Sequence, residues 1–569
     1  MAAGIPGELR IPALIQGNVS TDSWWEPYVP TSRLTLLLLA ALLFASLCPA
    51  PVVYAVAPSD VSAPAPGPGD NDPTLYTPVL EAYRDEAYAR SAGHLSRYRV
   101  DAVFSPAGDE EATITGRLDL NYVNQTGEVQ PAIYFRLYPN GEEYAAGNLE
   151  LTHVMVADAP VNFELDLDRT VARVPLPSPV PPGGTVDLRL EFTTTIPTDP
   201  PRSYGMFSFD QATGTYALAH WLPLLAGYDE EMGWNLEPLS VHGDPVFTNT
   251  ALFDVTLTVP EDLVVVTTGN EVATHQSLPG LVRRQYVSGP VRDFVIVIDD
   301  DFQSDSLEVG GTRVTSWFNP NSEDGGLNVL LWGVQSLELF NRLFGAYPYS
   351  ELDLVQVDLG NGAAGVEFPQ LVFIGADHYH NSALTRRIPG YLEMIVVHEV
   401  AHQWWYGIVG NNNYLHAFID EGLTNYVSAV YFQFVYGQQD YELQVNLNFK
   451  APYLAMLFAG GGDQIADQPT DDFPSQGAYG TTIYAKSALG FQAIRQEIGD
   501  DAFFGALTNY ADQFAFRFEI ATPADLLAAF EQSSGQELDE LWRHWFEAAE
   551  GYQDFAPADR EQLQRELGR

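Results

Sequence analysis

Two histidines four residues apart, His398 and His402, lie in the apolar run VVHEVAHQWW (396–405), and Glu399 directly follows the first. Residues four apart lie one above the other on the same face of a helix, so both imidazoles can point at one ion. Neutral imidazole nitrogens suit zinc. Glu399 stands roughly 100° around that helix, beside the ion, where it can hold a water against the metal without ligating it. A third ligand is needed, and Glu421 supplies it from the next predicted helix, with eighteen residues between it and His402. Two histidines and one glutamate leave a fourth position for water, the pattern of a catalytic rather than a structural zinc. One Zn²⁺ per chain is therefore expected.

Other candidates for metal chemistry are weaker. His378 and His380, in ADHYHN, read as surface-loop residues. No loop of the D-x-D-x-D-G type is present, so calcium is not expected. The single cysteine, Cys48, excludes an intrachain disulfide and a cysteine-ligated site.

Periodicity indicates what positions these residues. Residues 112–124 alternate, with Ile114, Leu118, Leu120 and Tyr122 on one parity, and residues 251–260 do the same. Residues 292–300 read as a buried strand, and Pro and Gly cluster between such runs. An antiparallel β-sandwich over 75–305 follows. From 306 the pattern becomes mixed. Helical spacing covers 327–347, and 352–358 is a short strand. Residues 364–375 read as one further strand, with Pro369 favouring a sheet edge. Helices are expected over 391–410, stopped near Gly407 or Gly410, and over 416–437 and 481–499. Residues 501–549 form a helical tail, in which Thr522-Pro523 opens a helix that Gly535 follows.

The chain has 569 residues and a net charge of −48, from 27 basic and 75 acidic side chains. Such a surface repels phosphate backbones and anionic lipid, so no nucleic-acid partner is expected. An apolar run after Arg33, ending in Ala55-Val56-Ala57, reads as a signal peptide; an uncleaved anchor through residues 34–57 is the alternative. The expected division is a signal segment with N-terminal extension (1–57), a Pro/Gly-rich linker (58–74), the β-sandwich domain (75–305), a catalytic domain with C-terminal helices (306–549) and a polar tail (550–569). An exported protein, extracellular or at the cell surface, is the expectation.

Several of these segments together resemble the M1 family of gluzincin metallopeptidases, in its exported bacterial form. HEVAHQWW and DEGLTNY (420–426) are similar to the family's zinc-binding segments at the family's spacing. AGVEF (364–368) resembles its exopeptidase segment, G-x-M-E-N, and YGTTIYAKS (479–487) the stretch bearing its catalytic tyrosine. Residues 221–234 and 242–260 resemble its β domain and 521–546 its C-terminal helices. The resemblance implies a multidomain α+β protein whose thermolysin-like α/β catalytic domain follows the β-sandwich. It implies zinc on His398, His402 and Glu421, with Glu399 as general base. It further implies that Glu367 grips the free α-ammonium of a peptide, that Tyr484 stabilises the oxyanion, and that Tyr479 assists at the substrate. The implied activity is that of a zinc aminopeptidase. An endopeptidase with the same site, or an exported binding protein without turnover, are the alternatives. This chain departs from the family pattern at Ala364 for Gly, Val366 for Met and Phe368 for Asn, and at Asp420, where Asn is common.

Overall fold

The computed structural model describes residues 72–555 apart from 109–110, 145–146, 199–205, 241, 244–245, 361–362 and 381–389. The expected signal segment, Cys48, the expected linker as far as residue 71 and the tail beyond 555 lie outside the described residues. No helix of the described residues is long and apolar enough to cross a membrane.

The alternation over 112–124 is a strand, Ala112–Val123, whose even-numbered residues are buried throughout. It lies inside an eight-stranded sheet, between Arg97–Ser105 and Thr185–Ile196, with antiparallel register to both. Gly116 falls on the buried parity because Phe192 of the neighbouring strand fills its place; a Cβ there would stand 2.5 Å from that ring. Two four-stranded sheets contribute to the same core. The sandwich is not wholly antiparallel, because Arg97–Ser105 pairs in parallel with Ala251–Pro260. Those strands lie far apart in sequence, and the chain between them builds other strands, so no hairpin constrains their direction. A helix not expected from the sequence, Glu81–Ser91, precedes the first of these strands.

A second sheet of five strands carries the site. Its spatial order is Gln303–Val309, Thr312–Phe318, Glu351–Val357, Leu371–Gly375 and Gly365–Phe368. The 305/306 boundary expected from sequence thus falls inside its first strand. Helix Glu323–Leu343 supplies the crossover that a parallel joint requires, here between Thr312–Phe318 and Glu351–Val357. Residues 364–375 are not one strand. They form a hairpin, Gly365–Phe368 against Leu371–Gly375, which turns at Pro369-Gln370 with Gln370 at φ 68°. Proline at the first turn position and a positive φ at the second are the type II arrangement.

Three helices also differ from expectation. The helix bearing the histidines is Tyr391–Ala401 and stops well before Gly407. The chain leaves it as Trp404 and Trp405 bury their indoles side by side, Trp404 on Phe340, Phe344 and Tyr347, Trp405 on Phe344 and Tyr510. The stretches expected as helices over 416–437 and 481–499 each contain a π-helical turn, Phe418–Gly422 and Thr481–Lys486. The C-terminal region is helical, and Thr522 caps Pro523–Ser534 with a reciprocal Thr522–Asp525 capping box before Gly535.

Asp353, in the middle of the five-stranded sheet, is buried and accepts a hydrogen bond from Trp317 Nε1 at 2.8 Å. Burial pushes its carboxyl from the ordinary 3.8 up to about 7. The folded chain therefore keeps a proton that the unfolded chain releases. Asp353 favours folding most below about pH 4, and its contribution declines to a plateau above about pH 7. Asp353→Asn keeps the acceptor and cannot ionise. Its melting temperature should decline less steeply than the parent's between pH 4 and 7.5, as measured by calorimetry.

Candidate metal centre

His398 lies in the last turn of Tyr391–Ala401, and His402 is the residue that caps it. Glu421 reaches them from the π-helical turn Phe418–Gly422. His398 Nε2 stands 3.1 Å from Glu421 Oε2 and 3.1 Å from His402 Nε2, and His402 Nε2 stands 3.3 Å from Glu421 Oε2. Tetrahedral zinc with bonds of about 2.0–2.1 Å holds its ligand atoms about 3.4 Å apart, so the triad has the size of such a site. The early end of the helix matters here. It presents the Trp405 carbonyl 2.8 Å from His402 Nδ1, which fixes the proton on that nitrogen and turns the Nε2 lone pair to the triad.

The charge around the triad also fits a cation. Glu367, Glu399, Asp420 and Glu421 are all buried around the two imidazoles. Burial holds the His398 ring below its ordinary value, in the neutral form that ligates. Burial opposes protonation of His402 as well, but Glu367 and Glu421 outweigh it and hold that ring well above its ordinary value. Glu421 is drawn down by its hydrogen bonds with the two histidines, against the effect of burial. The His398, His402 and Glu421 group could therefore hold a metal.

Glu399 does not join the triad. Burial, then the charge of Glu367, pushes its carboxyl well above the usual range, and its Oε2 has no hydrogen-bond partner among the described residues. A cation on the triad acts in the opposite direction and favours the ionised form. Gly365 makes room for this side chain, since a Cβ there would lie 2.3 Å from Glu399 Oε1. The sequence reading passed over Gly365; its only mark is a glycine two residues before the acidic residue of the segment. Glu367 is on the edge strand and opens into the same cleft. Burial raises it to about 7, with Glu421 adding to the rise and His402 opposing it.

Tyr484 lies on the π-helical turn Thr481–Lys486, and its hydroxyl donates to Glu421 Oε1, the oxygen turned away from the imidazoles. Burial and Glu421 raise this phenol well above its ordinary value, so it remains a proton donor. Asn425, one turn beyond Glu421, donates to the Tyr484 carbonyl at 2.6 Å. The two π-helical turns abut at Gly422, where a Cβ would meet Ser487 Cβ at 2.5 Å. Neither Asn425 nor Gly422 is marked by type or spacing. Asp420 accepts from the Glu421 N–H at 2.8 Å, and burial followed by Glu421 pushes its carboxyl up to about 8. Its side chain thus offers the Glu421 N–H an oxygen acceptor, as an Asn side chain also would.

The cleft over these groups has a volume of about 410 Å³. Tyr479 forms part of its wall, edge-on to Phe473 and stacked on His242 at 6.2 Å. His242 comes from the β-rich domain and is tied across the cleft by Nδ1 to Gln476 Oε1, at 3.0 Å. Gly243 passes so close over the Tyr479 hydroxyl that a Cβ would fall 2.1 Å from it. His378 and His380 are not part of the triad. His380 is exposed, and the His378 ring packs edge-on against Tyr391.

A histidine pair and a helix-borne glutamate beneath an edge strand define the zincin class of metallopeptidase site. Residues 331–545 match the model of the peptidase family M1 domain. The match covers less than half of the chain, and this part is similar to the M1 peptidase domain. Aminopeptidase M1-A of Oryza sativa subsp. japonica is 24% identical over 304 residues, 52% of this chain and 34% of the rice protein. Aminopeptidase M1 of Arabidopsis thaliana is 24% identical over 305 residues, with coverage of 52% and 34%. The chain thus spans about a third of the length of these relatives. The M1 zinc metallopeptidase from Deinococcus radiodurans has the same fold, with a TM-score of 0.54 at 17% identity over 80% of this chain and 93% of that one. A mutant of it has been solved with a Tyr-Ser-Ala substrate and gives the same TM-score, 0.54, at 17% identity over 81% and 96% of the two chains.

His402→Ala should abolish stoichiometric zinc, measured by atomic emission on the purified chain. In the parent, chelation should lower the melting temperature, because the metal binds the folded state alone. Chelation should leave His402→Ala unmoved.

Proposed function

We propose that the protein is a zinc-dependent aminopeptidase that removes N-terminal residues from peptides. The observation that carries this reading is the place of Glu367. It is a buried carboxylate on an edge strand, in the same cleft as Glu399, Tyr484 and the His398–His402–Glu421 triad. A peptide can add to that edge as a further strand, and Glu367 then meets its α-ammonium and blocks extension past the first residue. The match to the peptidase family M1 domain, the aminopeptidase relatives and the substrate-bound neighbour support the same reading.

His398, His402 and Glu421 would hold the zinc, which when bound acts as a Lewis acid on the peptide carbonyl and lowers the pKa of water. Glu399 takes a proton from the attacking water and delivers it to the leaving amine. Its buried position beside a cation suits both halves of that exchange. Tyr484 releases Glu421 and donates its hydroxyl to the developing oxyanion. Asn425 and Gly422 hold the turn from which Tyr484 acts. Glu367 holds the ammonium, and Tyr479, under Gly243, forms the wall against the first side chain. The reading includes export: the segment over 33–57 places the enzyme outside the cell or at its surface.

Glu367→Ala should cost free-amine reporter substrates far more than their N-acetyl counterparts. An equal loss on both would reassign the enzyme as an endopeptidase. KM for free-amine substrates should rise at low pH, where Glu367 becomes protonated, burial having increased its affinity for a proton. It should rise again above about 8, where the α-ammonium loses its proton. Gly365→Ala should keep its zinc and lower kcat by about 10²-fold, because the new methyl displaces Glu399 without touching the ligands. Unchanged kcat in this variant would remove Glu399 from the proton-transfer role.

A further inference from the structure

Gln403 directly follows the ligand His402, yet its side chain turns away from the triad and is buried. Its Nε2 donates to the Phe368 carbonyl at 2.9 Å, and its Oε1 accepts from the Gln370 N–H at 2.8 Å. Tyr347 also directs its hydroxyl at Oε1, at 3.4 Å. Phe368 and Gln370 are the two sides of the turn that ends the Glu367 strand. One amide therefore joins the segment holding the metal ligands to the hairpin holding Glu367, with one bond on each side of Pro369.

The turn requires such a clamp. Gln370 has φ 68°, a conformation disfavoured for any side chain and ordinarily left to Gly or Asn at this turn position. It is fixed there from both ends. Gln403 takes its N–H, and its own Nε2 donates to the Ser288 carbonyl of the β-rich domain at 2.7 Å. Phe368, which replaces the family's Asn, is held too. Its ring meets the edge of His220, itself locked between Asp293 at 2.9 Å and Tyr144 at 2.6 Å. Apolar Phe368 fills this buried position with packing rather than hydrogen bonding, and the polar link from strand to metal helix passes instead through the Phe368 backbone to Gln403.

We propose that Gln403 is a positioning residue that sets the distance between the ammonium-binding carboxylate of Glu367 and the metal ligands, and so fixes the cut one residue from the N-terminus. The inference rests on the reading of Glu367 given above. Gln403 touches neither substrate nor metal and acts through the hairpin alone.

Equilibrium binding tests it on the full zinc-loaded chain carrying Glu399→Gln, which removes the proton acceptor and leaves peptides uncut. The probes are trialanine and N-acetyl-trialanine, titrated by calorimetry. Adding Gln403→Met keeps the volume and removes both hydrogen bonds. It should retain zinc and weaken trialanine about 5–10-fold, while changing N-acetyl-trialanine less than about 2-fold. With Glu367→Ala also present, Gln403→Met should add less than about 2-fold, because the two residues act in series. Equal weakening of both peptides, or a full additional loss in the Glu367→Ala background, overturns the role of Gln403. If Glu367→Ala itself leaves the preference for trialanine intact, the reading of Glu367 fails. If Glu367→Ala abolishes that preference and Gln403→Met leaves it intact, Gln403 alone is refuted. Should Gln403→Met not fold, Gln403→Glu keeps an acceptor for Gln370, puts a carboxyl oxygen in place of the amide donor to Phe368, and is held to the same peptide ratio.

Discussion

Four carboxyl groups, those of Glu367, Glu399, Asp420 and Glu421, are buried around two imidazoles in a chain whose net charge is already −48. Buried charge without compensation is among the costliest arrangements a fold can hold. The buried cations Arg292 and Lys486 are bonded elsewhere, Lys486 to Asp463 at 3.1 Å. Arg292 gives its Nε–H to the Tyr406 carbonyl and an Nη1–H to the Thr248 carbonyl. Under the proposed function, positive charge comes from outside the chain, as a metal on the triad and an ammonium at Glu367. Much of the surrounding structure keeps these acids apart and correctly turned.

The β-rich domain takes part in this. It reaches the catalytic hairpin through the Ser288 carbonyl and the His220 ring, and it crosses the cleft with His242 and Gly243. Ser240 adds a bond to Asp471 at 2.8 Å. The cleft thus has walls from two sheets of different origin. A change in the sandwich core near Trp221, whose indole donates to the Phe294 carbonyl beside Asp293, is three contacts from the Glu367 strand.

Much of this was legible in the sequence. The four-residue spacing of His398 and His402, the glutamate between them and Glu421 at a helix start are marks of residue type, and the structure brings these residues together. Alternation gave Ala112–Val123 and Ala251–Pro260 with their buried parity. What could not be read depends on tertiary contact. The end of the histidine helix is set by where two indoles find partners, and nothing from Gln403 to Tyr406 breaks a helix by type. The Pro369-Gln370 turn was hidden because Gln is unusual at a positive φ and is held there by Gln403 and Ser288, residues distant in sequence. The π-helical turns leave no compositional trace, since a shift in hydrogen-bond register changes no residue.

Those turns bear on how the molecule could have arisen. Glu421, Asn448 and Tyr484 each stand on one, at Phe418–Gly422, Val445–Lys450 and Thr481–Lys486, and all three side chains line the cleft. A π-helical turn holds one residue more than the α-turn it replaces, as if a codon had been inserted. That extra residue rotates everything after it by about 100° relative to everything before it. The face presented to the cleft is thereby out of step with the face packed in the core. Each helix can anchor its hydrophobic stripe in an ancestral phase while offering reactive side chains in a second one, so drift in the packing and refinement of the chemistry can proceed with little mutual interference.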